Sequence, residues 1–380
     1  MQKEYLMGSF DNFLSNSNET IPADLKKLLS WMIDRLPLKN SREDYAKVMV
    51  DLFDNYLLRL KNLDKASLTY VFTLDGVDEY LQVINDNCSQ ISAIVKLYSD
   101  GRNYEAFDKF VTLMGRDKIL WGCLNRTIES GKHSLYRIRK IEPSSKITRE
   151  DLFHIPLNNR GKVASQRYSS TGYPCLYLGY SINACWEELG RPALNSFMVV
   201  SVAQQFAIKL IDLSIPNGIS ELNSQMEIWK FIMSYPLIAA CNVKVNTPEN
   251  TYKEEYIIPQ MLTSYIIDQN ARKREKHISW EDIIAIKYSS SHYNTQFGWE
   301  RKYFTNLAIP VIDVASTYKF CPELSALYYL SDPTCIEYEQ IKGELAPIEL
   351  KGKGAYQNSL FGRLERLLSM RVCKPVKYKL

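Results

Sequence analysis

At 380 residues the chain is longer than a typical single domain, so two domains are expected. Its 46% hydrophobic and 24% charged content is that of a globular protein with a large core, which excludes a disordered chain or a disulfide-stapled scaffold. A net charge of +4 is too small to point to nucleic acid, and no apolar run approaches the ~20 residues of a membrane span, so neither partner is expected.

The first residues, Met1-Gln2-Lys3-Glu4-Tyr5, hold no apolar signal core, and the eight cysteines form no CxxC pair. Both features predict a cytoplasmic protein with reduced, buried thiols and no metal site. Pro22 opens a helical pattern with Leu25, Leu28, Leu29, Met32 and Ile33 on one face. Ser41 is placed to cap a longer helix whose stripe is Tyr45, Val48, Leu52, Tyr56 and Leu60. Further helices are predicted over 78–98 and over 104–114, the latter stopping at Gly115. Residues 1–130 therefore read as a helical bundle. Near its end, Arg126 and His133 resemble the loose arginine-to-histidine spacing of helical HEPN ribonucleases, although Gly131 interrupts the stretch between them. That resemblance implies a HEPN-like architecture, with RNA cleavage by Arg126 and His133 as a minor alternative.

At Leu135 the texture changes. Leu135-Tyr136-Arg137-Ile138-Arg139 alternates apolar and charged residues as a strand does. Short strands are predicted at 174–178, 197–202, 206–213, 283–288 and 307–312, with helices near 184–189, 224–239, 258–268 and 279–282. The fold class is α+β, an all-helical N-terminal domain followed by a mixed domain over 131–320. Residues 321–380 read as a mostly helical basic extension. Its last thirty residues carry eight Lys or Arg against one acid, Glu365, and Leu360, Leu364, Leu367 and Leu368 form a short amphipathic stripe. A solvated surface helix is the expectation for that segment.

Chemistry-bearing residues concentrate in the mixed domain. The stretch from Arg167 to Glu188 reads as loop, strand, turn and helix, with Ser181 or Asn183 able to cap the helix. An arginine on an early strand can grip a phosphate or carboxylate with two prongs. Taken singly, these residues have structural explanations: an ion-paired arginine, a core tyrosine, a glutamate favoured by the helix dipole, a serine in a turn.

In order, however, they resemble the RES-domain family, named after arginine, glutamate and serine. The matching residues are Arg137; Arg167 through Gly172; Leu176-Tyr177-Leu178; Ala184-Cys185-Trp186-Glu187; Glu255-Tyr256-Ile257-Ile258-Pro259-Gln260; and Tyr288-Ser289-Ser290. The resemblance covers about 135–315. It implies an ADP-ribosyltransferase-like fold and a bacterial toxin or defence effector that degrades NAD+. Such an enzyme is a glycohydrolase or phosphorylase cleaving the nicotinamide–ribose bond. A protein or nucleic-acid ADP-ribosyltransferase is the alternative on the same fold. The implied catalytic residues are Glu187, Arg137 and Ser290, with Tyr177, Arg167, Tyr288 and Arg139 binding substrate. Glu188 follows Glu187 about 100° further round the helix, so only one can face the site, and the Ala-x-x-Glu spacing selects Glu187. Ser289 and Ser291 flank Ser290, which is selected by analogy. No cofactor or metal is implied. NAD+ is substrate, inorganic phosphate a candidate co-substrate, and an antitoxin or regulatory protein, or a second copy of the chain, a candidate partner.

Overall fold

The computed structural model describes residues 20–39, 44–72, 76–116, 118–131, 134–141, 146–274, 283–293, 298–312, 318–345 and 355–379. It divides into two compact units: residues 1–124 with 215–246, and residues 125–214 with 247–380.

The chain begins in the helical unit. Helix α1 (Ala23–Asp34) buries Leu25, Leu28, Leu29, Met32 and Ile33, the predicted stripe. Strand β1 (Leu38–Lys39) follows, then α2 (Tyr45–Lys61). Asp44 caps α2 by accepting from the Ala46 N–H at 2.9 Å, whereas Ser41, the predicted cap, lies outside the described residues. Helices α3 (Lys65–Val71), α4 (Val77–Ser99), α5 (Asn103–Arg116) and α6 (Lys118–Leu124) complete this passage. Helix α5 runs through Gly115, the predicted stop, for one more residue.

The second unit then opens with β2 (Asn125–Ile128) and β3 (Leu135–Lys140). Arg126 is thus on a strand, paired with Leu210 in the sheet, and its Nη1 donates to the Asn125 carbonyl. The HEPN resemblance implied a helical position for Arg126, which the strand replaces; His133 lies outside the described residues. Next come β4 (Cys175–Gly179), α7 (Ile182–Glu188), β5 (Phe197–Gln204) and β6 (Ile208–Leu213).

At Ile215 the chain returns to the helical unit to form α8 (Gln225–Cys241) and β7 (Val243–Lys244), which pairs parallel with β1. Helix α8 was expected inside the mixed domain. It packs among helices because every residue from Phe231 to Cys241 is buried, and a helix apolar all round needs a complete envelope. Pro236 sits in its interior and has no N–H to give the Ile232 carbonyl. Tyr56 on α2 supplies the missing donor, its Oη lying 2.7 Å from that oxygen, and Tyr45 Oη donates to the Ala240 carbonyl at 3.0 Å.

From Thr247 the chain is again in the second unit, with α9 (Ile257–Arg274), β8 (Ile283–Ser289), β9 (Thr305–Pro310), α10 (Pro322–Leu327), β10 (Tyr328–Leu330), α11 (Ile336–Ile341) and α12 (Leu360–Ser369). The predicted helix at 279–282 lies outside the described residues. Eight strands form one open mixed sheet in the order β10-β5-β3-β4-β9-β8-β6-β2. The class is therefore α+β. Alternate residues serve the two faces. Leu135, Leu176, Leu178, Val200, Val202, Leu307 and Ile309 pack with Phe153 and Phe320 on one side. Tyr136, Ile138, Phe197 and Val199 pack with Ile182, Phe361, Leu364 and Leu368 on the other. The basic C-terminal segment thus belongs to this core through α12, and is no separate extension. Within this eight-stranded sheet all pairings are antiparallel except β6 with β8. In the described residues β3 and β4 share one register pair, Tyr136 with Gly179, whereas β3 and β5 share six.

Candidate functional site

That single rung is where Arg137 sits. Its Nη1 donates to the Tyr177 carbonyl at 2.7 Å, tying β3 to β4 where backbone pairing has stopped. Its Nε is buried without a hydrogen-bond partner. Burial pulls the guanidinium down to about 10, which leaves it charged at neutral pH. Arg139, two residues on, is exposed, and its Nη1 donates to the Asp151 carbonyl.

Helix α7 starts where the Ser181 hydroxyl accepts from the Ala184 N–H at 2.9 Å. Of the two candidate caps it is Ser181, and this sets the phase of the helix. Glu187 consequently turns inward, 2% exposed, with Oε2 2.8 Å from Nε of Arg191 and Oε1 buried without a partner. Arg191 follows Gly190, and both have left-handed backbone, φ 56° and 75°. Glu188 is the exposed one of the pair. Its Oε1 accepts from Ser290 Oγ at 2.6 Å and from Asn306 Nδ2 at 3.0 Å. Ser290 therefore meets Glu188 and not Glu187, the residue that the Ala-x-x-Glu spacing selects.

Ser290 follows β8, its N–H bonded to the Phe304 carbonyl at 2.7 Å. Its hydroxyl is oriented further by the His292 N–H, at 3.1 Å. The neighbouring Ser291 accepts from Arg167 Nη2 at 3.1 Å. Arg167 is buried, and its guanidinium carbon lies 5.2 Å from the centre of the Tyr256 ring. Burial works against its charge, but Tyr256, Tyr168, Glu188 and Tyr288 outweigh this and hold it above its ordinary value. Tyr168 and Tyr288 meet with ring centres 4.6 Å apart. The Tyr177 hydroxyl accepts from the Tyr168 N–H at 3.2 Å. Burial raises both Tyr177 and Tyr288 well above the usual phenol value, so both stay neutral. Gln260 at the start of α9 fastens the arginine loop, its Nε2 donating to the Gln166 carbonyl at 2.8 Å and to Ser165 Oγ at 2.9 Å.

The structure thus brings Arg167, Tyr177, Tyr288 and Ser290 together with Glu188. It places Arg137 at the β3–β4 rung, joined to this group through the Tyr177 backbone. Glu187 and Arg139 face other partners. Sequence reasoning missed Asn306, Tyr168 and Tyr256 as site residues. Asn306 had a signal, since it is an amide inside the wholly buried strand Thr305–Pro310. Among the described residues no group of three or more His, Cys, Asp or Glu could hold a metal ion. No disulfide joins the cysteines, of which five are buried and three half-buried. Among the described residues no helix is long and apolar enough to cross a membrane.

No family model matches the chain, and no solved structure matches it. It is 29% identical, over 374 aligned residues, to a protein of Bacillus subtilis (strain 168) named "Putative toxin YopC"; the match covers 91% of this chain and 81% of that one.

Proposed function

We propose that the chain is a toxin whose mixed unit degrades NAD+ by breaking the nicotinamide–ribose bond, with Glu188 in the role first given to Glu187. The observation that carries the reading is the Glu188 carboxylate, open to solvent yet fixed by Ser290 and Asn306 beside Arg167 and a group of tyrosines. The likeness to a protein named a toxin supports the biological role, and the order of the RES-like blocks supports the chemistry.

In this reading the C1′–N bond breaks with its electron pair leaving on nicotinamide. Positive oxocarbenium character develops on the ribose, and the carboxylate of Glu188 stabilises it. Water adds its oxygen to C1′ and gives up a proton, leaving ADP-ribose; phosphate in its place leaves the sugar phosphate. Arg137 has a buried Nε without a partner, a donor that an oxygen of the diphosphate would satisfy. Tyr177, partly exposed, offers neutral aromatic surface to nicotinamide or ribose, and the buried Tyr288 packs behind it through Tyr168.

The test is to incubate the full chain with NAD+ and follow nicotinamide. Release in step with NAD+ loss is expected, and E188Q should reduce it about 100-fold or more. Unchanged NAD+ with folded wild-type protein overturns the reading. Comparing products with and without phosphate separates hydrolysis from phosphorolysis. Label from NAD+ appearing on a macromolecule would select an ADP-ribosyltransferase instead.

A further inference from the structure

The only acid in the last thirty residues reaches the helix that carries Glu188. Glu365, on α12, accepts from the Ile182 N–H at 2.6 Å with its Oε1. Ile182 is the first residue of α7, so this oxygen satisfies a backbone donor that a helix start otherwise leaves open. The same oxygen accepts from Tyr356 Oη at 2.5 Å. The Asn183 N–H in turn lies 3.4 Å from that tyrosine oxygen, and Ser181 takes the Ala184 N–H. Three consecutive N–H groups of α7 are thus held by Glu365, Tyr356 and Ser181.

The holders are themselves fixed. Tyr356 stacks on Tyr303 with ring centres 3.9 Å apart, and the Tyr303 carbonyl accepts from Ser181 Oγ at 2.7 Å. Phe361 of α12 meets Trp186 of α7 at 5.5 Å. Gly362 lets α12 approach the Tyr356 turn, where a Cβ would strike the Tyr356 carbonyl and the Gln357 backbone. On the opposite side α7 lies against β4 so closely that a Cβ on Gly179 would come within 2.6 Å of Cys185 Sγ and 2.7 Å of the Ser181 carbonyl. A helix of seven residues is a rod about 10 Å long. Pinned against Gly179 and held at its first turn, it has little freedom left in where its last residue, Glu188, arrives.

We propose that Glu365 is a positioning residue for the candidate site: with Tyr356 it fixes the first turn of α7, and through that short helix it sets the reach of Glu188 to Ser290 and Asn306. The C-terminal segment therefore acts on the site through a carboxyl group, not through its basic surface. The inference rests on the proposed function only for its kinetic consequence.

Two readouts on the full-length protein test it: amide hydrogen exchange, and NAD+ turnover. In E365A, exchange at 182–188 should rise about tenfold or more, the loss expected for one buried hydrogen bond, and exchange at 290–292 should rise with it. Amides in 363–369 should keep their protection. The kcat for NAD+ should fall about tenfold with KM changed less than about twofold, because the substrate-binding arginines are untouched. E365Q should restore exchange and kcat, since the amide oxygen accepts the same N–H. Should E365A not fold, Y356F reads the same exchange with the carboxyl in place, and a smaller rise at 182–188 is expected. Unchanged exchange at 182–188 in the folded variants overturns the proposal. So does equal loss of protection in α12, which would make Glu365 a general packing residue, or failure of E365Q to rescue. A wild type that leaves NAD+ intact overturns the proposed function alone, and the exchange data still decide the role of Glu365.

Discussion

Two adjacent glutamates divide their work because a helix turns about 100° per residue. Glu187 is buried against Arg191, and Glu188 is exposed and bonded to Ser290 and Asn306. E187Q keeps an acceptor for the half-exposed Arg191, so its expected cost is below about 1 kcal/mol, with NAD+ turnover within about threefold of wild type. E188Q should leave the melting temperature unchanged within about 2 °C while turnover falls about 100-fold or more. The reverse pattern, with E187Q inactive and E188Q active, would restore the assignment made from Ala-x-x-Glu spacing. Sequence alone narrowed the choice to these two residues and could go no further. Which one faces Ser290 depends on the phase of α7, and that phase is set by whether Ser181 or Asn183 is the cap. Glu365 carries a second prediction. Burial lifts its carboxyl to about 7 from an ordinary 4.5, while Tyr356 and the Ile182 N–H pull the other way. The folded state thus binds this proton more tightly than the unfolded state. Its contribution to stability is complete below about pH 4.5 and is lost as pH rises through about 7. Of the groups that face it, burial keeps Cys185 protonated to about 12 and raises Tyr136 and Tyr356 above their usual value, so none of them titrates in this window. E365Q should match wild type in thermal stability at pH 4.5 and exceed it at pH 8. With an allowance for partial exposure the gain is on the order of 2 kcal/mol. Parallel stability curves for the two proteins from pH 4.5 to 8 would show that the carboxyl titrates normally.

Helix α8 shows how an element with a forbidden residue is kept. Proline in a helix interior leaves one carbonyl without its donor and ordinarily costs ~3 kcal/mol or more. Here the orphan is the Ile232 oxygen, and Tyr56 Oη bonds it from a neighbouring helix. Y56F removes that donor while keeping the ring, which packs on Tyr235 with centres 4.7 Å apart. The buried carbonyl would then be unsatisfied, at a cost of about 1–3 kcal/mol, read as a lower denaturant midpoint for the helical unit. P236A should soften the effect of Y56F by restoring an N–H, so the two substitutions are expected to be non-additive. The elements themselves were largely legible. The alternation at Leu135–Lys140 and the apolar runs of β4, β5, β6, β8 and β9 located those strands to within two residues at most ends. Strands β1, β7 and β10 span two or three residues each, too few for a period of two to register. Helix α8 was legible as a helix, but its partners were not, because a helix apolar all round has no single face to indicate which neighbour covers it.

At the scale of the whole chain, local patterns could not reveal that residues 215–246 leave the mixed unit and complete the helical one. The excursion is a matter of long-range burial: Tyr45 and Tyr56 donate to carbonyls of α8 across 195 and 176 residues, and Tyr80 meets Trp229 edge-on at 6.0 Å. A similar limit hid the fate of the C-terminal segment. Its charge suggested a solvated surface, yet the Lys374 N–H bonds the Leu330 carbonyl and the Tyr378 carbonyl accepts from the Lys319 N–H, while Leu364 and Leu368 are fully buried. The discontinuity of the helical unit makes a direct prediction. Residues 1–130 look like a complete bundle in sequence, but without 215–246 they would expose the apolar surfaces that cover α8 and leave the tyrosine hydroxyls without those carbonyls. Produced alone, 1–130 should be aggregation-prone or molten, with helical far-ultraviolet circular dichroism, weak near-ultraviolet signal and dye binding to exposed apolar surface. Co-expression with 215–246 should yield a complex that melts cooperatively. A fragment 1–130 that is monomeric, cooperative and unaffected by 215–246 would mean that α8 is an accessory of the bundle. The alternative outcome makes α8 the central member of that unit, so that neither unit can be completed until synthesis has passed residue 246.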